Sequence, residues 1–218
     1  MAISFKYQAT KKIILRIAFP LSDFVYYLPI KDVMKILALS GSLRAMSINS
    51  ALLSAAAALA PHDMSVTVFN GIKDLPLFNP DHEDCLPSNV TDFRASVATA
   101  DALMIASPEY AHGVTGAIKN ALDWLVSFEP FAYKLVAVLN TSPRAHHADD
   151  ALRETLKTMA AIIVEPASIS IPLLGAKLDE DGMISTPNIA ASIQEALGAL
   201  GDAIILRKTS QGASFPIS

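Results

Sequence analysis

The chain has 218 residues, of which 52% are hydrophobic and 17% charged, against a usual charged share of roughly 25%; this supplies one large core and excludes a disordered chain. With 17 Lys and Arg against 21 Asp and Glu, the net charge of −4 is scattered rather than gathered in blocks, so no nucleic-acid partner is expected. A single cysteine, Cys85, excludes an internal disulfide framework and a thiolate zinc cage, and the expectation is a cytoplasmic protein.

Residues 1–33 read unlike the rest. They are rich in aromatic and β-branched side chains, carry Pro20 and Pro29, and show neither helical nor alternating periodicity. Lys11, Lys12 and Arg16 come too late for a signal peptide, and no small-residue cleavage site follows. Arg16, Pro20 and Asp23 interrupt the apolar stretch, so no membrane span is expected. The segment reads as an extension outside the fold, as from an early start codon, with the domain running from Met34 to Arg207 and a loose tail over 208–218.

From Lys35 the periods become legible. Lys35–Ser40 (KILALS) is a short apolar run halted by Ser-Gly-Ser, the pattern of a buried parallel strand entering a tight turn. Ser47 caps a helix with Ile48, Leu52, Ala56 and Leu59 inward. A second strand follows at Ser65–Phe69, then a Pro-rich loop, a helix over Ser88–Ala100 and a third strand at Ala102–Ser107. Val114, Ile118, Leu122 and Leu125 line the next helix, ahead of a fourth strand at Leu135–Leu139 and a helix around Asp150–Ala160. Ile162–Val164 and Ser168–Ile171 supply the last apolar pieces, Asp181-Gly182 marks a turn, and Ile189, Ile193, Leu197, Leu200 and Ile204 trace a closing helix. Strands alternating with helices demand right-handed crossovers and a parallel sheet covered on both faces. The predicted class is therefore α/β, a flavodoxin-like doubly wound five-stranded parallel sheet in the order 2-1-3-4-5, with its ligand at the carboxyl ends of strands one and three.

Three loops carry the candidate chemistry. Ser40-Gly41-Ser42-Leu43-Arg44-Ala45-Met46-Ser47-Ile48-Asn49 combines a glycine turn, hydroxyls, a helix N-terminus and a forked cation, the groups that a phosphate monoester needs. The same serines suit an ordinary N-cap; placement after the first parallel strand, with an arginine inside, favours phosphate. GxxxxGK[ST] and GxGxxG are absent, which excludes a P-loop and a dinucleotide fingerprint. After strand three, Pro108, Tyr110, Gly113 and Gly116 suit a flat ring. Glu109 and His112 suit acid-base work, or a carboxylate pinning the loop backbone and a histidine at a subunit rim; the second reading is favoured for both. Trp124 and Asp123 read as packing or subunit contacts. After strand four, Ser142 can cover a ring while Arg144, His146 and His147 meet an anionic substrate or nucleotide phosphates, with a place on a solvated helix N-terminus an equal reading for His147. Adjacent histidines seldom chelate one ion, so no metal is expected. Cys85, beside Asp81, Glu83 and Asp84, is no candidate nucleophile, and no GxSxG elbow is present.

SGSLRAMSIN at 40–49, followed about sixty residues on by SPEYAHGVTGAIKNALDW at 107–124, resembles the NADPH-dependent FMN reductase family, which includes quinone, chromate and azo-dye reductases. The likeness covers roughly Lys35–Leu206. It implies a flavodoxin-like fold, bound FMN, NADPH or NADH as co-substrate, and a homodimer or homotetramer. Carried over, the pattern places Ser40, Ser42, Arg44, Ser47 and Asn49 around the FMN phosphate and Pro108, Glu109 and Tyr110 along the isoalloxazine, with the backbone of Gly113; the chain's own residues add His112 and Ser142 at the flavin and Arg144 and His146 toward the substrate. The chain departs from the family where Ala111-His112 replaces Asn-Gly, and in lacking a glycine pair after strand four. The expected activity is hydride transfer from NAD(P)H through FMN to a small acceptor such as a quinone, free flavin, chromate or azo compound, by a ping-pong cycle with no catalytic side chain. The alternatives are a flavodoxin-type electron carrier, against which Arg44 and the modest charge count, and a non-catalytic FMN-binding protein.

Overall fold

The computed structural model describes residues 3–8, 12–19, 22–29, 32–142, 144–173 and 175–212. They fall into two compact units, Met1–Val33 and Met34–Ser218. In the first, β1 (Ile3–Gln8), β2 (Lys12–Phe19) and β3 (Ser22–Pro29) form an antiparallel sheet in that order, with Ile3 opposite Ile17 and Lys12 opposite Pro29. The aromatic and β-branched content that gave this segment no clear period is itself strand-forming.

The second unit runs β4 (Met34–Ser40), α1 (Ile48–Ala58), β5 (Met64–Val68), α2 (Ser88–Thr99), β6 (Ala102–Ala106), β7 (Glu109–Tyr110), β8 (Gly113–Val114), α3 (Gly116–Asp123), β9 (Leu135–Leu139), α4 (His146–Thr158), β10 (Ile162–Ile163), α5 (Glu180–Ser185) and α6 (Pro187–Gly212). The central sheet is parallel with the order β5-β4-β6-β9-β10, the predicted 2-1-3-4-5. Alternate side chains of each strand feed opposite cores. Met34, Ile36 and Ala38 of β4 pack with α1, α5 and α6, whereas Leu37 and Leu39 pack with α2, α3 and α4. The 75–87 loop is tied down by α3: Asn120 Oδ1 accepts from the Phe78 N–H (2.8 Å), and the buried Trp124 donates Nε1–H to Pro76 O (2.8 Å).

The fifth strand is split. β10 pairs with Leu135 and Val136, a 3₁₀ turn at Glu165–Ala167 intervenes, and Ser170 bridges Asn140 in parallel. Pro166 has no N–H to give a ladder, which confines it to such an edge. Ser168 repairs the break, its Oγ accepting from the Val138 N–H (3.1 Å) and donating to Val164 O (2.9 Å).

Four sequence expectations need correction. Asp181-Gly182 lies inside α5, because Asp179 caps that helix through Gly182 N–H (2.9 Å). The tail expected to be loose from Lys208 is helical through Gly212, and Lys208 Nζ meets Asp101 Oδ1 at 2.7 Å. α4 starts at His146, four residues early, for a reason that belongs to the site. Finally, α6 has the length and mean hydropathy, 1.5, of a membrane span, which a search for uninterrupted apolar runs misses because Glu195 and Asp202 interrupt it. Its stripe of Ile189, Ile193, Leu197, Leu200 and Ile204 is buried in the core while Gln194, Glu195 and Asp202 are exposed, the two-faced pattern of a core helix.

Candidate functional site

Parallel strands end at one edge of the sheet, so the loops after β4, β6 and β9 meet there. The chain passes from β4 to β5 on one side and to β6 on the other, which makes the β4/β6 boundary the topological switch point. A cleft of about 310 Å³ opens at this place, within the roughly 300–1,000 Å³ typical of ligand sites. The first loop contributes Ser42, Arg44, Ser47, Ile48 and Asn49, the second Ser107, Pro108, Glu109 and Tyr110, the third Thr141, Ser142, Arg144 and Ala145.

The first loop is drawn tightly onto β6. Gly41 N–H donates to Ala106 O (2.8 Å), and a Cβ on Gly41 would stand 2.2 Å from Ser107 Oγ and 2.8 Å from Ile118 Cγ1. Ser47 caps α1, accepting from the Ser50 N–H (3.3 Å), and buried Asn49 accepts from Thr141 Oγ1 (3.1 Å), tying the first loop to the third. Ser40 Oγ bonds Ser50 Oγ (2.8 Å) and lines a second cleft on the β5 side with Ser54, Asn70 and Lys73, not the first cleft as expected; Arg44 borders both. The first-turn N–H groups of Ile48 and Asn49 have no acceptor among the described residues, as a helix N-terminus dictates. Of the five arginines from Arg44 onward, Arg94, Arg153 and Arg207 have partners, to Glu83, to Asp149 and Glu165, and to Tyr133 O. Among the described residues the guanidiniums of Arg44 and Arg144 have none, and both line this cleft.

The second loop folds back as the β7–β8 hairpin. Glu109 Oε2 accepts from the Ala148 N–H (2.9 Å), the third residue of α4, whose own N-cap position is Ala145 and offers no side-chain acceptor. A carboxylate from another element thus caps α4 and complements its dipole. This bond, and more weakly the imidazoles of His112, His147 and His146, holds the Glu109 carboxyl below the usual glutamate range, against the opposing effect of desolvation. Glu109 is a backbone pin, but it holds the first turn of α4 rather than the backbone of its own loop, as the favoured reading had it. It also explains why α4 begins early: the cap is 37 residues upstream in sequence, invisible to any local pattern.

His112, Gly113 and His146 do not line the cleft. A Cβ on Gly113 would meet only Tyr110 O at 3.5 Å, so the glycine is not required there; the left-handed backbone falls on Ala111 and His112. The His112 ring instead stacks on His147 (centroids 4.4 Å), which contacts His146 (4.0 Å). Ser107, Thr141, Ile48 and Ala145 line the cleft without having been singled out. Ser107 directly follows β6 and Thr141 follows Asn140, which bridges Ser170 just past β9, and that nearness to a carboxyl end was the available signal.

The NADPH-dependent FMN reductase family model matches residues 34–173. An NAD(P)H-dependent FMN reductase of Pseudomonas aeruginosa is 34% identical over 175 residues, 78% of this chain and 94% of that protein. A quinone reductase of Escherichia coli is 34% identical over 113 residues, 50% of this chain and 60% of its own length. Among solved structures, a flavoenzyme NAD(P)H:(acceptor) oxidoreductase from Paracoccus denitrificans superposes with a TM-score of 0.65 at 25% identity, covering 79% of this chain and 98% of that one. With a matching family model across most of the second unit and the switch-point cleft in place, the chain belongs to the NADPH-dependent FMN reductase family, as an NAD(P)H-dependent oxidoreductase of the FMN and quinone reductase type.

Proposed function

We propose that the cleft binds FMN, with its phosphate on the β4–α1 loop and its ring along Pro108, Glu109 and Tyr110, and that a small quinone-like molecule is the electron acceptor. The observation that carries this reading is the convergence on one cleft of two guanidiniums and the Ile48 and Asn49 amides of α1, none of which has a partner among the described residues. Anions collect where such donors meet. FMN held there would supply the redox chemistry, a two-electron transfer from NAD(P)H to a quinone with the second proton drawn from solvent. Ser42, Arg44 and the Ile48 and Asn49 amides hold the phosphate; Ser40, Ser47 and Asn49 shape the loop through their own hydrogen bonds. Glu109 is committed to Ala148 and serves as a positioning residue rather than a proton donor. Arg144 stands on the acceptor side.

Arg44→Ala removes a charge-assisted phosphate contact worth about 1.5–3 kcal/mol, so FMN affinity is expected to fall roughly 10- to 100-fold, measured by flavin fluorescence titration. An unchanged dissociation constant contradicts the phosphate assignment. Steady NADPH or NADH oxidation with a quinone separates an enzyme from a carrier. The same reading includes a homodimer or homotetramer, supported by exposed apolar side chains such as Leu77 and Val126, and a reducing cytoplasmic setting, supported by the lone Cys85.

A further inference from the structure

The β7–β8 hairpin turns on two residues, Ala111 and His112, with φ of +49° and +59°. A two-residue hairpin with both centres left-handed is the type I′ geometry, for which Asn-Gly is the preferred pair because a Cβ at positive φ crowds the backbone. This chain keeps a β-carbon at both positions. Strained backbone persists only where its surroundings hold it, and it concentrates at functional sites. What holds this turn is the His112 ring, stacked on His147 at 4.4 Å with 23° between planes, while His147 meets His146 at 4.0 Å and 37°. Three imidazoles from two elements form one exposed stack beside Glu109, with Arg144 in the loop that enters α4.

The ring planes lie 23° and 37° apart, an arrangement that packs faces rather than aiming ring nitrogens at one point. Consistent with this, no cluster of three or more His, Cys, Asp or Glu among the described residues has the geometry to hold a metal. Each imidazole does present an N–H donor, and Arg144 adds a guanidinium without a partner among the described residues. Of the nearby carboxylates, Glu109 is engaged by the Ala148 N–H and Asp149 by Arg153 Nε at 2.6 Å, while Asp150, one turn along α4 from His146, is exposed. We propose that the His112–His147–His146 stack, with Arg144, is a recognition rim for an anionic oxygen group on a molecule entering the cleft, and that the strained Ala111–His112 turn is retained to build it. This deepens the proposed function, on which it rests for the identity of the visitor. The anion belongs either to an acidic acceptor or to the phosphates of the nucleotide donor.

The test uses the full chain and two variants. Ala111→Asn with His112→Gly gives the turn its preferred pair and removes the outer ring; His147→Ala breaks the stack at its centre and leaves the hairpin's own sequence unchanged. Histidine ring-proton NMR shifts are followed on adding naphthalene-2-sulfonate, standing for an acidic flat acceptor, and adenosine 2′,5′-bisphosphate, standing for the donor, each with and without FMN. In parallel, kcat/KM is compared for 1,4-naphthoquinone-2-sulfonate against 1,4-naphthoquinone, and for NADPH against NADH. The hairpin variant is expected to melt higher than the parent, and both variants to lose roughly 10-fold in one of the two ratios, the loss of a charge-assisted hydrogen bond. A fall in the quinone ratio assigns the rim to the acceptor, and a fall in the nucleotide ratio assigns it to the donor. Absence of shifts with both anions, or intact ratios in both variants, overturns the rim. Shifts that appear in a protein unable to take up FMN uphold the rim and overturn the flavin reading instead.

Discussion

Arg44 and Glu109 line one cleft with opposite hydrogen-bonding states. The guanidinium has no partner among the described residues, whereas the carboxylate is already bonded to the Ala148 N–H. This difference separates a ligand contact from a positioning residue although both are charged and both come from motifs conspicuous in the sequence. Because folding lowers the Glu109 pKa, its stabilising contribution is present above the carboxyl's unfolded value and disappears as pH falls through the lower, folded one. Glu109→Gln keeps an oxygen acceptor but loses the charge. The variant is expected to melt below the parent at pH 7, and the gap is expected to close as pH falls through the carboxyl's lowered folded value, followed by circular dichroism. A gap independent of pH contradicts the assignment.

At the scale of elements, the cleft depends on how closely the β4–α1 loop approaches the end of β6. Gly41 is needed there for space rather than for an unusual φ: an added methyl group collides with Ser107 and with Ile118 of α3. Gly41→Ala is expected to cost about 1–3 kcal/mol, as overpacking does, and to weaken FMN binding by displacing Ser42 and Arg44. Urea denaturation and flavin titration on one preparation check both effects. The β7–β8 hairpin shows a contrasting glycine, since Gly113 tolerates a Cβ while Ala111 and His112 take up the positive φ. Family likeness located this loop through its Pro-Glu-Tyr, yet its hairpin form and the residues that bear the positive φ emerged only from the backbone.

For the whole molecule, among the residues whose burial is described, the two core clusters draw on the chain from Met34 onward. They cover both faces of the parallel sheet, and the Met1–Val33 unit has a sheet of its own. A chain beginning at Met34 is therefore expected to fold with a cooperative thermal transition and to bind FMN with the parent's affinity. Loss of that transition on truncation would assign the first unit a part in the core.

The order of strands and the identity of the three loops followed from sequence alone, because buried parallel strands are short apolar runs that local composition reveals and because right-handed crossovers leave few topologies. The Ser-Gly-Ser turn, Arg44 and Pro108-Glu109-Tyr110 were legible for the same reason: each is a contiguous motif at a strand's carboxyl end. Tertiary structure alone decided how those residues divide their labour. Ser40 faces the second cleft, Glu109 caps a helix 37 residues away in the chain, and Asn49 reaches Thr141 across 92. Hydrogen bonds and ring stacking depend on distance in space, and the pairings that matter here join residues that no periodicity along the chain connects.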